Sequence, residues 1–214
     1  LDCYLLRGIG AEGRERFQKL GALDFLDAAK ADGRIRFAGF SFHDESEAFR
    51  PIVDGYDWDF CQIQYNYMDV DYQAGRAGLR YAASRGLGVI IMEPIKGGRL
   101  AGRAPDEVQQ IWDAAPVRRS PAEWALRYVW DDPDVDVVLS GMSTMQQLID
   151  NLQAAAVAHP QSLSASELAV IEQVRRVYDE RTAVPCTGCR YCMPCPSGID
   201  IPATLALMND ASLY

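Results

Sequence analysis

Apolar strand-like segments alternate with amphipathic helical ones along this chain, and that alternation restricts the fold more than any other feature. Asp2–Gly8, Ile35–Phe42, Phe60–Tyr65, Val89–Met92 and Val135–Leu139 read as strands. Glu15–Ala31 reads as a helix with Phe17, Leu20, Leu23, Phe25, Leu26 and Ala29 on a broad apolar face, stopped by Asp32-Gly33. Asp44 and Glu47 have capping-box spacing, and Tyr72–Ser84 is a helix ended by Gly86. Ser120-Pro121-Ala122-Glu123, Ser143-Thr144-Met145-Gln146 and Ser164-Ala165-Ser166-Glu167 each open a further helix. The last of these is long and carries Leu168, Ile171, Val174, Val177 and Tyr178.

Five βα units in succession imply a parallel sheet with helices outside it. A doubly wound open sheet and a (β/α)₈ barrel both satisfy that pattern. No GxGxxG follows a strand, which removes the usual Rossmann signature. Polar residues gather at or near the C-terminal ends of the strands, at Arg7, Ser41, His43, Gln62, Gln64, Glu93 and Ser140. That face carries the active site in barrels. The reading is therefore an α/β fold, a partial barrel. The chain opens inside an apolar run, Leu1–Leu6, and three further units upstream are expected.

Four of the six cysteines fall within ten residues, at Cys186, Cys189, Cys192 and Cys195. Closely spaced CxxC turns wrap several thiolates onto one iron–sulfur cluster. The first three match the C-x₂-C-x₂-C ferredoxin spacing; Cys195 follows after two residues where that pattern has three. Zinc sites use two CxxC pairs with a longer spacer, which this run lacks. Cys61 has the opposite parity to Gln62 and faces the outer helices if Gln62 points inward. Cys3 shares parity with Arg7 and would lie low in the interior. Free cysteines beside a metal motif fit a reducing cytoplasm. A net charge of −9 argues against a nucleic-acid partner, and the Gly88–Met92 run is too short to span a membrane.

The chain resembles the aldo-keto reductases, in the branch with a C-terminal ferredoxin-type segment. The matching stretches are Ile35-Arg36-Phe37-Ala38-Gly39-Phe40-Ser41, Gln62-Ile63-Gln64-Tyr65-Asn66 and Met92-Glu93-Pro94-Ile95-Lys96-Gly97-Gly98-Arg99-Leu100. Gly141-Met142-Ser143, followed by Gln147 and Asn151, and the cysteine run complete the set. The resemblance makes the five units strands four to eight of the barrel. It implies hydride transfer between NADP(H) or NAD(H) and a small carbonyl or alcohol, with a [4Fe–4S] cluster and an electron-transfer partner. The family's general-acid Tyr, its Lys partner and its Asp have no counterparts here, so the chain alone is expected to be inactive.

By the same resemblance, Arg7 stands where the family usually has a catalytic His. Arginine stays charged, so it polarises or orients a carbonyl and cannot shuttle a proton. Ser41 and Gln62 would bond a nicotinamide carboxamide, although Phe42 stands where many members have Asn. Met92 takes the place of a ring-stacking aromatic. The loop through Glu93, Pro94, Gly97, Gly98 and Leu100 would pass the pyrophosphate, with Lys96 and Arg99 adding charge. Gln147 and Asn151 would reach the adenosine end, and Gly141 and Ser143 are further cofactor-binding positions.

Several of these residues have plainer readings. The Gly97-Gly98 loop also suits a connector, Ser143 suits a helix cap, and His43 suits a solvated loop entry. His159 reads as structural. The expected organisation is a barrel portion over residues 1–160, and a helix with the ferredoxin-type segment over 161–214. An iron–sulfur electron-transfer module on a barrel scaffold, and a structural zinc protein, are the alternative functions.

Overall fold

The structure, a computed structural model, describes residues 1–184, 186 and 192–213. Five strands, β1 (Cys3–Ile9), β2 (Phe37–Phe42), β3 (Phe60–Gln64), β4 (Gly88–Met92) and β5 (Val137–Val138), form one sheet in sequential order. Every neighbouring pair is parallel. A doubly wound sheet reverses its strand order at a switch point; this one does not, so it is an arc of a barrel. Among the described residues the arc stays open, with β1 and β5 as its edges.

The helices are α1 (Ala11–Lys19), α2 (Ala22–Ala31), α3 (Ser46–Val53), α4 (Gly75–Ser84), α5 (Asp106–Ala114), α6 (Pro121–Trp130), α7 (Met145–Ala156), α8 (Ala165–Arg181) and α9 (Ile201–Leu213). The single helix expected over residues 15–31 is two. Gly21, at φ 66°, takes a left-handed turn that no helix ladder continues through. The expected broad apolar face is divided accordingly: Leu26 and Ala29 are buried, whereas Leu20 and Phe25 are exposed.

Side-chain alternation separates the two faces of the sheet. Ala38, Phe40, Phe42, Cys61, Ile63, Val89 and Ile91 point outward into a core shared with Leu26, Phe49 and Leu79. Each large apolar side chain withdrawn there contributes roughly 1.5–3 kcal/mol. Gln62, Gln64, Ile90 and Met92 lie on the other face and are half-buried. Cys61 is thus outward, as its parity requires, while Cys3 is exposed because the open arc encloses nothing around it. At the N-terminal end of the sheet, Asp59 accepts the Ala38 N–H at 2.7 Å and Asp136 the Val89 N–H at 2.8 Å. These carboxylates satisfy strand donors where pairing begins.

A second core joins α5, α6 and α8 through Val108, Trp112, Trp124, Ile171, Val174 and Tyr178. The Trp112 and Trp124 rings stack at 5.2 Å. Helix α5 is an element the sequence reading did not anticipate. Ser120 caps α6 through the Glu123 N–H, and Ser164 and Glu167 form a full capping box on α8. On α7 the cap is Thr144 with Gln147, one residue beyond Ser143. Asp44 and Glu47 make no box on α3: Asp44 instead accepts the Ala11 N–H at 2.7 Å, tying the loop after β2 to the start of α1. No helix among the described residues is long and apolar enough to cross a membrane.

Candidate functional site

The strand register aligns the inward polar residues. Ser41 pairs with Gln62 across β2 and β3, Gln62 with Ile90, and Gln64 with Met92 across β3 and β4. Ser41 is buried, and its Oγ accepts the Gly8 N–H at 2.8 Å where the β1–β2 register shifts. Its hydroxyl hydrogen is left to donate toward the inner face. Gln62 Nε2 donates to the Met92 sulfur at 3.5 Å, so the two side chains form one surface. Arg7 stands on β1, immediately before Gly8, and is exposed.

Beyond this row lies a polar hub that was not foreseen. Asp69, whose side chain is 11% exposed, accepts Gln64 Nε2 at 2.8 Å and Asn66 Nδ2 at 3.0 Å, and forms an ion pair with Lys96. Asn66 also donates to the Glu93 carbonyl at 3.0 Å and accepts the N–H groups of Met68 and Asp69. The loop after β3 is thereby fastened to the loop after β4. The Asn66–Asp69 spacing was its only sequence signal.

The loop after β4 bends sharply. Glu93, Lys96, Gly97 and Gly98 have φ values of 56°, 50°, 63° and 94°. Two of these residues carry side chains in a region costly for L-residues, and such strain concentrates at binding loops. The Lys96, Gly98 and Leu100 N–H groups bond carbonyls within the loop, while the Leu100 side chain is fixed in the second core. Pro94 is buried, and Gly97 and Arg99 are exposed.

These elements wall a cleft of about 620 Å³ at the C-terminal ends of β3 and β4. His43, Tyr72, Met92, Lys96, Gly97 and Arg99 line it from the sheet side, and Cys186 and α9 from the other. Cys186 and the strand ends therefore meet at one place. Cys186 and Cys192 are exposed and Cys195 is half-buried, all three without a disulfide. Cys189 lies outside the described residues. Among the described residues no three potential ligands are gathered on one point. Cys61 is buried in the outer core, where burial, aided by the Asp136 carboxylate, pushes its thiol up to about 12.

The remaining expected residues sit elsewhere. Gln147 and Asn151 line a separate cleft of about 550 Å³ beside Arg119 and Glu123. Gln147 Oε1 accepts the N–H groups of Ser143 and Thr144, at 2.9 and 3.2 Å, and Asn151 donates to Ser140 at 2.9 Å. Gly141 and Ser143 are exposed at the same junction.

Solved structures of similar fold include an aldo-keto reductase, AKR11C1, from Bacillus halodurans. It is 22% identical with a TM-score of 0.64, covering 81% of this chain and 62% of that one. An aldo-keto reductase from Klebsiella pneumoniae in complex with NADPH is 19% identical with a TM-score of 0.55, covering 82% and 58%. One from the same organism with NADP and acetate is 18% identical with a TM-score of 0.59, covering 82% and 59%. The chain thus spans about 60% of the length of these structures. No curated protein matches it. The model of the aldo/keto reductase family matches residues 16–176, most of the sheet and its helices, and the chain belongs to that family.

Proposed function

We propose that this chain forms the cofactor-binding portion of an NAD(P)H-dependent oxidoreductase acting on a small carbonyl or alcohol. The observation that carries the reading is the continuous inner surface of Ser41, Gln62 and Met92, opening onto the left-handed loop of Lys96–Gly98. The Klebsiella relatives described with NADPH and NADP support it. A nicotinamide cofactor supplies the hydride when bound. The Ser41 hydroxyl suits the carboxamide oxygen, and Gln62 suits its NH₂ group. Arg7 orients or polarises a carbonyl without exchanging a proton. The separate cleft lined by Gln147 and Asn151 would take the adenosine end, with Gly141 and Ser143 as further cofactor-binding positions at the junction before α7. The family's Tyr, Lys and Asp relay has no counterpart in these residues, so turnover by this chain alone is not expected.

The segment with Cys186, Cys189, Cys192 and Cys195 would hold a [4Fe–4S] cluster. The donor set is entirely thiol, and those described are unbridged and accessible. Such a cluster supplies single electrons when bound, which implies an electron-transfer partner and a reducing, cytoplasmic setting. Residues 1–160 would then be the barrel portion and 161–214 the appendage.

Titration of the chain with NADPH, followed by nicotinamide fluorescence, tests the main reading. Saturable binding is expected, weakened about three- to tenfold in Gln62→Ala. Unchanged affinity in that variant would remove Gln62 from the site. Iron and sulfide analysis after anaerobic reconstitution tests the cluster. About four of each per chain are expected, whereas a colourless chain with stoichiometric zinc would favour a structural metal protein.

A further inference from the structure

Lys96 and Arg99, two cations of the loop after β4, are already paired, and the two pairs differ. Lys96 is held by Asp69, a nearly enclosed carboxylate that Gln64 and Asn66 also bind. That arrangement is a permanent part of the loop. Arg99 is held by Asp210 of α9 at 2.6 Å, with the two side chains 48% and 34% exposed. An accessible pair of this kind is worth little against water and is readily exchanged.

Helix α9 is correspondingly weakly attached. None of its described residues is buried, and Leu207 and Met208 are 71% and 50% exposed. Its attachments are polar and superficial. Asn209 accepts the Val184 N–H at 3.0 Å and donates to the Val184 carbonyl at 2.7 Å, and Arg181 donates to the Ser212 carbonyl at 3.1 Å. Among its described residues, Leu213 alone leans on the second core. Yet Asn209 and Asp210 wall the same cleft as Gly97 and Arg99. Elements with few buried contacts are the ones that open at low free-energy cost.

We propose that α9 is a displaceable lid, and that Asp210 holds Arg99 in the place a phosphate-bearing ligand takes. The inference rests on reading the cleft as a dinucleotide site. A carboxylate and a phosphate oxygen on Arg99 disfavour one another, because two anions then compete for one cation at short range. Ligand entry therefore exchanges Asp210 for phosphate and frees α9. Because Asn209 grips Val184, release of the helix also frees that residue.

Calorimetric titration of the full chain with inorganic pyrophosphate and with NADPH tests this, using the wild type, Asp210→Asn and Asn209→Ala. Both variants should bind pyrophosphate about three- to tenfold more tightly. Asn209→Ala leaves every charge in place, so its gain reports the lid and not the removal of a repelling carboxylate. Hydrogen exchange over residues 204–213 should quicken when pyrophosphate is added. Equal or weaker binding in Asn209→Ala, or slower exchange over α9, overturns the lid. Pyrophosphate binding with these gains but no NADPH binding would leave the lid standing and defeat the dinucleotide reading. Absence of binding by either probe to any chain defeats both.

Discussion

The Phe60 ring occupies the space a side chain at Gly39 would need. A Cβ on Gly39 would lie 2.4 Å from Phe60 Cε2, and Gly39 and Phe60 are register partners on β2 and β3. The ring is buried and cannot swing away into solvent. Gly39→Ala should therefore destabilise the chain by about 1–3 kcal/mol in urea unfolding. Combining it with Phe60→Leu should recover part of the loss, because the two changes act on one contact. Strictly additive losses would show that the clash is relieved elsewhere.

Asp69 is the single acceptor that joins Gln64, Asn66 and Lys96. Asp69→Ala leaves three donors without their partner in a mostly enclosed position. A loss of about 2 kcal/mol is expected, discounted for the partial exposure of Lys96. NADPH affinity should fall with it, since the loop after β4 loses its Lys96 tie and keeps the Asn66 bond to the Glu93 carbonyl. A variant of wild-type stability in urea unfolding would remove Asp69 from this role.

Glu167 links stability to pH. Burial works to raise its carboxyl, but the Ser164 hydroxyl and N–H, together with Arg119, outweigh burial and hold it at about 2. A depressed carboxyl stabilises the fold above its unfolded value of about 4.3. That contribution is lost as pH falls from there toward 2. Wild type should lose more stability than Glu167→Gln between pH 5 and pH 2.5, measured by thermal unfolding. Parallel pH curves for the two proteins would contradict this.

Thiol reactivity should sort the cysteines. The buried Cys61 thiol, raised to about 12, should resist alkylation until the chain unfolds. In the metal-free reduced chain, exposed Cys186 and Cys192 should be modified at once. Mass-spectrometric mapping after brief iodoacetamide treatment checks this. Early labelling of Cys61 would mean that the outer core opens readily.

Period-two patterning carried much of the fold. The outward Cys61 and Ile63 and inward Gln62 and Gln64 follow from alternation alone, and the caps at Ser120 and Ser164 from the Ser-x-x-Glu spacing. Helix α5 had its signals, with Asp106 and Glu107 after Pro105 and an apolar face of Val108, Ile111 and Trp112. So did α9, whose Asp200 accepts the Ala203 N–H at 3.2 Å just before Pro202 has begun its turn. Neither helix was anticipated, because the Gly97-Gly98 loop and the cysteine run dominate the flanking sequence. The break at Gly21 depends on one residue's φ, which helical periodicity does not register. The Arg99–Asp210 pair joins residues 111 positions apart, a distance over which local pattern holds no information. That Met92, Glu93 and Gly97 line one cleft while Gln147 and Asn151 line another emerged only from the folded arrangement.

The central claim is that a dinucleotide binds at the C-terminal ends of these strands. Hydrogen exchange of the full chain with and without saturating NADPH tests it most directly. Slower exchange is expected at residues 62–66 and 93–100, and smaller protection at 141–147. Protection confined to other segments, or no change at any NADPH concentration up to saturation of the assay, would contradict the account.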